Sequence, residues 1–215
     1  YKYRLYPTKE QIDVLNHQMY IYNQAYNICL NLWLKENEKN KNLPKKLKQY
    51  RSATGYDTVV KRALRFRKLT FSTVVTQQAR INFLKAVKRA FSKEIVSARL
   101  KAIETAQTLK EKVKANQLGM PTFKSSRDTF QSFNWHNQGF QIINDKNPKF
   151  KVIKLMKVYF RYRYCREMST HYKITSITFS KDFTGYYVSY GVELKKQVDL
   201  VVSSDTFDIT KSIEI

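Results

Sequence analysis

The stretch YRLYPTKEQ, from Tyr3 to Gln11, joins a strand pattern directly to a helix start. Thr8 and Gln11 have the spacing of a capping box, in which each side chain bonds to the backbone N–H of the other residue. Pro7 stands immediately before this pair and cannot donate a backbone hydrogen bond. The sequence therefore predicts a short N-terminal strand that passes into a long helix without an intervening loop.

Alternation along this strand assigns its side chains to two faces. Successive side chains of a strand point to opposite sides, so we expect Leu5 to lie inward. The outward residues are then cationic or aromatic: Lys2, Arg4 and Tyr6. The first strand is thus expected to contribute both to a core and to a positively charged surface.

Three helices are predicted before residue 119. Apolar residues from Ile12 to Trp33 recur at alternating spacings of three and four, which is typical of one helix side, and the polar stretch Lys35–Asn42 reads as a loop. A second helical pattern covers Thr58–Lys68, and a third begins near Ser72 and extends to Ile95. The absence of Pro and Gly between residues 56 and 118 favours helices throughout this part of the chain.

Charge is the strongest indication of function. The 215 residues include 40 Lys and Arg against 17 Asp and Glu, a formal net charge of +23. Between Lys41 and Lys101 the acidic residues are Asp57 and Glu94. Such a field favours a polyanionic partner, and nucleic acid is the first expectation. An anionic membrane surface is the alternative, but no apolar run approaches the ~20 residues of a spanning helix, so we expect no membrane partner. For the helical cations, a solvated face is the alternative interpretation, and the scarcity of acidic residues there favours contact with nucleic acid.

After Pro121 the pattern becomes that of β-strands. The stretches Phe130–Ile143, Phe150–Arg163 and Tyr172–Leu194 are rich in aromatic and β-branched residues, and residues 182–185 read as a hairpin turn. One strand, then helices, then several strands predict an α+β fold, a β-barrel or sheet with the helices inserted after its first strand.

The segment KFKVIKLMKVYFRYRYCRE, from Lys149 to Glu167, alternates cations with aromatic residues. Cations neutralise phosphates while aromatic rings stack on unpaired bases, which suits single-stranded or looped RNA. A strand with aromatic residues in the core and cations in water explains the same pattern. Both interpretations stay open at this point.

Catalytic signals are weak throughout. His17, His136 and His171 are isolated in sequence, and Asp205 with Asp208 reads as part of a surface connector. No metalloprotease, nucleophile-elbow or P-loop motif occurs. The two cysteines, Cys29 and Cys165, indicate a reducing compartment and form no zinc ribbon.

Three segments in order resemble the transposon-encoded TnpB (OrfB) family. They are YKYRLYPTKEQIDVLNHQMYIYNQAYNICL at residues 1–30, GMPTFKSSRDTFQSF at 119–133, and ITSITFSKDFTGYYVSYGVE at 174–193. The family comprises RNA-guided DNA endonucleases of insertion sequences, related to type V CRISPR effectors. The resemblance implies an oligonucleotide-binding-like β-barrel (the wedge domain) with an inserted helical recognition domain.

The resemblance also implies domain boundaries and partners. Residues 1–8 would be the first barrel strand, 9–118 the recognition domain, 119–198 the rest of the barrel, and 199–215 a connector to a RuvC-like nuclease. The implied partners are a guide RNA from the transposon end and double-stranded target DNA, bound by a monomer in a prokaryotic cytoplasm. The family's catalytic carboxylates would follow Ile215, so Mg²⁺ and Zn²⁺ are expected only where a nuclease domain and zinc ribbon are present.

Residues are carried over from the family individually. Gln77 and Thr73 lie where the family's recognition helix reads a short DNA motif beside the target, and an amide can pair bidentately with adenine. Asn134 is placed in a loop that approaches the same duplex. The expected RNA-binding residues are Lys2, Arg4, Arg161, Arg163, Arg166, Lys88 and Arg89. The alternatives are a nuclease-lacking, RNA-guided repressor and a general basic RNA-binding protein.

Overall fold

The structure, a computed structural model, describes residues 1–136, 139–169 and 171–194. Its elements are β1 (Lys2–Arg4), α1 (Lys9–Asn40), a 3₁₀ turn (Lys45–Leu47), α2 (Ala53–Phe66), α3 (Thr73–Ala90), α4 (Lys93–Thr105), α5 (Leu109–Asn116), β2 (Gln131–Trp135), β3 (Phe140–Asn144), β4 (Phe150–Leu155), β5 (Val158–Arg163), β6 (Tyr172–Asp182) and β7 (Gly185–Leu194). The predicted connector at 199–215, with Asp205 and Asp208, lies outside the described residues.

The strands form two antiparallel sheets, one with the order β1-β7-β6-β2 and one with the order β3-β4-β5. A bridge between Leu5 and Tyr162 places the end of β1 beside β5, and the backbone N–H of Tyr6 donates to the Arg161 carbonyl at 2.9 Å. The α+β class is confirmed. Within the described residues no ladder joins β2 to β3, so the sheets do not form a closed barrel there.

The predicted junction between strand and helix is confirmed. The Thr8 backbone N–H donates to Gln11 Oε1 at 2.9 Å, and the Gln11 backbone N–H donates to Thr8 Oγ1 at 3.4 Å. Gln11 Nε2 also donates to the Tyr159 carbonyl at 2.7 Å, which ties the first turn of α1 to β5. Leu5 is buried and Lys2 is exposed, as strand alternation predicts.

The helices differ from the sequence prediction in several places. The second helix, expected at Thr58–Lys68, is α2 at Ala53–Phe66, and α5 at Leu109–Asn116 was not predicted. The expected loop at 35–42 was wrong, because α1 continues to Asn40 through Lys and Glu residues that favour helix. The buried Asn40 donates to the Gln49 carbonyl at 2.6 Å and so anchors this end. The third helical pattern is also two helices, since α3 ends at Ala90 and Ser92 stands at the N-cap position of α4.

Aromatic residues fill the space between the sheets and between the helices. Phe133 of β2 stacks on Phe179 of β6 at 5.2 Å, and Phe160 of β5 approaches Phe179 at 5.8 Å. Among the helices, Phe83 of α3 contacts Tyr26 and Tyr56 edge to face. Large buried rings of this kind dominate core energetics, and here they belong to one continuous core shared by the helices and the sheets.

Amide side chains join the helices to the four-stranded sheet. Asn82 Nδ2 of α3 donates to Asn134 Oδ1 at 2.9 Å, and Asn134 Nδ2 donates to Thr178 Oγ1 of β6 at 3.0 Å. Asn23 of α1 donates to Gln131 Oε1 at 2.7 Å. The expected loop position of Asn134 was wrong: it lies in β2, because Phe133 and Trp135 on either side are buried and β2 pairs with β6.

Candidate nucleic-acid interface

The outward side of α3 carries polar and cationic residues. Its buried residues, such as Val75, Ala79 and Phe83, lie on the side that faces α1 and the core. At 100° per residue, the opposite side is centred near Gln77. The exposed residues on that side, which we call the α3 stripe, are Thr73, Gln77, Lys85 and Lys88. The structure therefore brings the two proposed DNA-reading residues, Thr73 and Gln77, together one turn apart.

No internal partner holds the Gln77 side chain. Within the part of the chain that the structure describes, its amide makes no hydrogen bond to protein. An exposed amide on a helix surface can reach a base edge in the major groove, which admits an α-helix. Lys85 and Lys88 follow two and three turns later along the helix and are also exposed.

Among the residues that the structure describes, no acidic side chain forms an ion pair with the α3 stripe. Asp57 of α2 accepts from Arg80 Nε at 2.8 Å, with both side chains mostly shielded from solvent. Glu36 of α1 accepts from Arg51 Nε at 3.0 Å and from the Tyr56 hydroxyl at 3.2 Å. These carboxylates serve contacts between helices, which leaves the exposed cations of α3 available to an external polyanion.

Asn134 lies apart from the α3 stripe. Its partner on α3, Asn82, is about 140° around the helix axis from Gln77. Both ends of the Asn134 amide are engaged, with Asn82 and with Thr178. The structure thus gives Asn134 an internal, structural set of contacts and does not place it beside Gln77.

The proposed RNA-binding residues of β1 and β5 share one surface. Arg4, Arg161 and Arg163 are all exposed, on neighbouring strands. The antiparallel register set by the bridge between Leu5 and Tyr162 places Arg4 opposite Arg163. Like charges face each other there, a placement that an anion would relieve.

Several of these cations already have partners. Lys2 Nζ lies 3.7 Å from Asp182 Oδ2 and 4.0 Å from the centre of the Tyr187 ring. Arg4 Nη2 donates to the Thr184 carbonyl at 3.1 Å. Arg163, in contrast, makes no side-chain hydrogen bond, ion pair or ring contact among the described residues.

Arg161 is held in the most defined geometry of the set. Its Nε donates to Asp145 Oδ2 at 2.7 Å and its Nη2 to Asp145 Oδ1 at 3.2 Å, a bidentate pair. The guanidinium carbon lies 4.0 Å from the centre of the Phe150 ring, and Tyr6 meets Phe150 edge to face at 5.8 Å. The Asn147 backbone N–H, and then Arg161, lower the pKa of Asp145 below its ordinary value.

Sequence reasoning missed Asp145, Phe150 and Tyr6 as one arrangement with Arg161. One signal for it was available, since Asp145 is the single acidic residue among positions 139–166, against eight Lys and Arg. The information that the sequence lacked is the register of β4 and β5. This register pairs Val152 with Arg161 and Phe150 with Arg163, which puts Phe150 and Arg161 on the same face of the sheet.

The remaining predicted RNA-binding residues are exposed but dispersed. Lys88 and Arg89 lie in the last turn of α3. Arg166 follows β5, and its carbonyl accepts a hydrogen bond from the Tyr3 hydroxyl at 2.6 Å. The structure therefore groups the β1 and β5 residues near Arg166 and places the α3 pair on the helical part.

The described residues hold neither a metal cluster nor a membrane span. No group of three or more His, Cys, Asp or Glu that could hold a metal ion occurs among residues 1–136, 139–169 and 171–194. His17 Nε2 bonds to the Thr70 carbonyl at 2.7 Å, a contact between helices and a loop. In the same residues no helix has both the length and the apolar character needed to cross a bilayer.

Residues 1–42 match a family model described as a helix-turn-helix domain of IS605 OrfB. These residues fold as β1 and the single continuous helix α1, of which twelve of 32 residues are buried. No curated protein matches the chain. The description supports a nucleic-acid-binding N-terminal region, and the match confirms, over the first 42 residues, the resemblance to the TnpB (OrfB) proteins of insertion sequences.

Proposed function

We propose that the chain is the part of a TnpB-like, RNA-guided DNA endonuclease that binds the guide RNA and reads a short DNA motif beside the target. The family match at residues 1–42 supports the assignment to an insertion-sequence protein. The observation that carries the proposal is the presence of two separate cationic surfaces. One is helical, with a free amide among its cations, and the other is a sheet face with aromatic residues.

The DNA motif is assigned to α3. A groove-reading helix must expose the side that meets the bases, and α1 buries residues such as Leu15, Tyr22 and Tyr26 along most of its length. On α3, Thr73 and Gln77 are exposed at the N-terminal end, where recognition helices contact base edges. Gln77 is the adenine-pairing candidate and Lys88 a phosphate ligand.

The guide RNA is assigned to the sheet face and the cations near it. Lys2, Arg4 and Arg163 are exposed there, with Arg166 beside them, and a polyanion with unpaired segments matches their charge and aromatic neighbours. Bridging through β1 gives the continuous strand order β2-β6-β7-β1-β5-β4-β3. The two ends of this order are consecutive in sequence, which supports an oligonucleotide-binding-like barrel as the proposed wedge domain.

Sequence specificity would come mainly from guide pairing, with the protein reading nucleic-acid shape and a short motif. Cleavage by Mg²⁺ chemistry, and a zinc ribbon, belong in this proposal to a nuclease domain after position 215. The proposed division is a first strand at 1–8, a recognition domain at 9–118 and the remaining barrel at 119–198. The protein would act as a monomer in a prokaryotic cytoplasm.

Sequencing the RNA that co-purifies with the native protein tests this function. We expect one dominant transcript that ends at a transposon end. Bulk ribosomal RNA would instead identify a general basic RNA-binding protein and overturn the proposal. A dominant guide transcript with no DNA cleavage by the complete protein would identify a nuclease-lacking, RNA-guided repressor.

A further inference from the structure

The outer face of the three-stranded sheet is both aromatic and cationic. The register of the ladders places Phe150, Val152 and Lys154 of β4 on the same side as Tyr159 and Arg161 of β5. Their neighbours Ile153, Phe160 and Tyr162 are buried on the opposite side. Tyr159 is 48% exposed, and Tyr6, which meets Phe150 from the end of β1, is 45% exposed. We call the set Tyr6, Phe150, Tyr159 and Arg161 the platform.

Arg161 presents a flat surface to solvent. Asp145 accepts from two nitrogens along the edge of the guanidinium, so the carboxylate lies at its edge and leaves both faces uncovered. One face rests on Phe150 at 4.0 Å, while the Arg161 side chain remains 47% exposed. The other face is therefore open to solvent, and Asp145 fixes the orientation of the guanidinium.

This geometry suits a base better than a phosphate. A phosphate is bound through the N–H groups at the guanidinium edge, and two of those already donate to Asp145. Bases stack on guanidinium planes and on aromatic rings, and both surfaces are exposed on the platform. Arg163, two residues along β5 and without a carboxylate partner among the described residues, is the neighbouring ligand for phosphate.

We propose that the platform binds an unpaired segment of the RNA by stacking two or three bases on Arg161, Tyr159 and Tyr6. The proposal rests on the proposed function, which supplies RNA as the partner, and assigns to this face the single-stranded part of it. Charge complementarity favours a polyanion, because positions 139–166 carry eight Lys and Arg and one acid. Duplex bases are inaccessible to such a face, since they are stacked on each other.

The test compares Arg161→Lys with the matched control Arg163→Lys in the full chain. Binding of an eight-nucleotide single-stranded RNA and of an RNA hairpin is measured by fluorescence anisotropy over a range of salt. Arg161→Lys keeps the charge but removes the planar stack, so single-strand affinity should fall about five- to 150-fold. The salt slope should stay unchanged. Arg163→Lys should change single-strand affinity less than twofold, and hairpin affinity should hold in both variants.

A second pair of variants, at Tyr159, distinguishes a loss of base stacking from a loss of stability. Tyr159→Ala should weaken single-strand binding by a similar factor while Tyr159→Phe retains it, and the melting temperature should not change because the ring is exposed. Phe183→Ala, which alters an exposed ring at the tip of the β6–β7 hairpin, is the control and should have no effect.

Three outcomes would overturn the platform. The first is equal behaviour of Arg161→Lys and Arg163→Lys, the second is an equal loss of hairpin and single-strand binding, and the third is tighter binding of single-stranded DNA than of RNA of the same sequence. Failure of the proposed function is distinguishable, because bulk ribosomal RNA in the native protein would refute the guide while leaving these oligonucleotide results intact.

Discussion

The α3 stripe and the platform hold their polar side chains in opposite states of order. On α3, Gln77 extends into solvent without an internal partner among the described residues. On the platform, Arg161 is fixed by Asp145 and Phe150 before any ligand arrives. A free side chain loses rotamer entropy when it binds, whereas a fixed one has already lost it. The helix is thus suited to recognising base edges through hydrogen bonds. The sheet is suited to stacking on bases of any sequence, with little further loss of side-chain entropy.

The largest effect is expected for Gln77→Ala on α3, which should change DNA motif selection and leave RNA affinity the same. Gln77→Ala removes the amide that we assign to a base edge, and a bidentate pair contributes about 1–3 kcal/mol, roughly five- to 150-fold, to discrimination. RNA affinity should stay the same, because the RNA surface lies on the sheet. Cleavage or binding of a DNA library randomised beside the target, by the RNA-loaded protein, measures the change.

Gln78→Ala is the matched control for this prediction. It alters the same residue type one position along α3, on a half-buried side away from the α3 stripe. It should leave motif selection intact. Equal losses of DNA selection and RNA affinity in Gln77→Ala would mean that the residue supports the fold and does not read DNA.

Asn134 tests whether an internal amide also reads DNA. Asn134→Ala removes the hydrogen bonds that Asn82 and Thr178 make with this side chain, although Asn82 keeps its bond to the Tyr22 hydroxyl, so the free energy of unfolding should fall by about 1–2 kcal/mol. Urea denaturation measures it, and Asn144→Ala, at the exposed end of β3, should change it little. A changed DNA motif with unchanged stability would contradict the structural role and restore Asn134 to the DNA site.

The contrast also explains what the sequence could predict. The capping box at Thr8 and Gln11 and the turn at residues 182–185 are local, and both appear as expected. Strand alternation correctly placed Leu5 in the core and Lys2, Arg4 and Tyr6 on the surface. These features depend on residues that are a few positions apart, and their conformational preferences do not depend on the rest of the fold.

Contacts between residues that are far apart in sequence could not be predicted from local sequence patterns. Asp145 lies 16 positions from Arg161, and they meet because β3, β4 and β5 pair in one register. Asn134 meets Asn82 because α3 packs on β2. In each case a hydrogen bond between distant segments decides the role of a residue whose local sequence is ambiguous.

A variant of Arg163 tests whether this residue binds phosphate while Arg161 stacks on a base. Arg163→Ala should remove about one phosphate contact, so the slope of log affinity for single-stranded RNA against log salt should decrease in magnitude by about 0.7. Lys39→Ala, at the exposed C-terminal turn of α1, is the control and should leave the slope unchanged. An unchanged slope for Arg163→Ala would mean that its side chain does not touch phosphate.

The smallest expected effect uses the two thiols as probes of the two regions. Burial, and then the nearby Asp57 carboxylate, raise the pKa of Cys29 to about 12. At pH 8 this thiol stays protonated within the helical core, whereas Cys165 is exposed two residues beyond Arg163. A thiol reagent should therefore modify one cysteine in the native chain and the second only after unfolding, as mass spectrometry of the labelled protein would show.

A bulky label on Cys165 then tests whether RNA binding and DNA motif selection use different surfaces. Because Cys165 lies between Arg163 and Arg166, the label should weaken RNA binding by about twofold, or roughly 0.4 kcal/mol. The α3 stripe lies on the helical part, so DNA motif selection should not change. The Cys165→Ser protein, treated with the same reagent, should bind RNA normally. An equal loss in Cys165→Ser would trace the effect to Cys29 and would show that the helical core opens at pH 8.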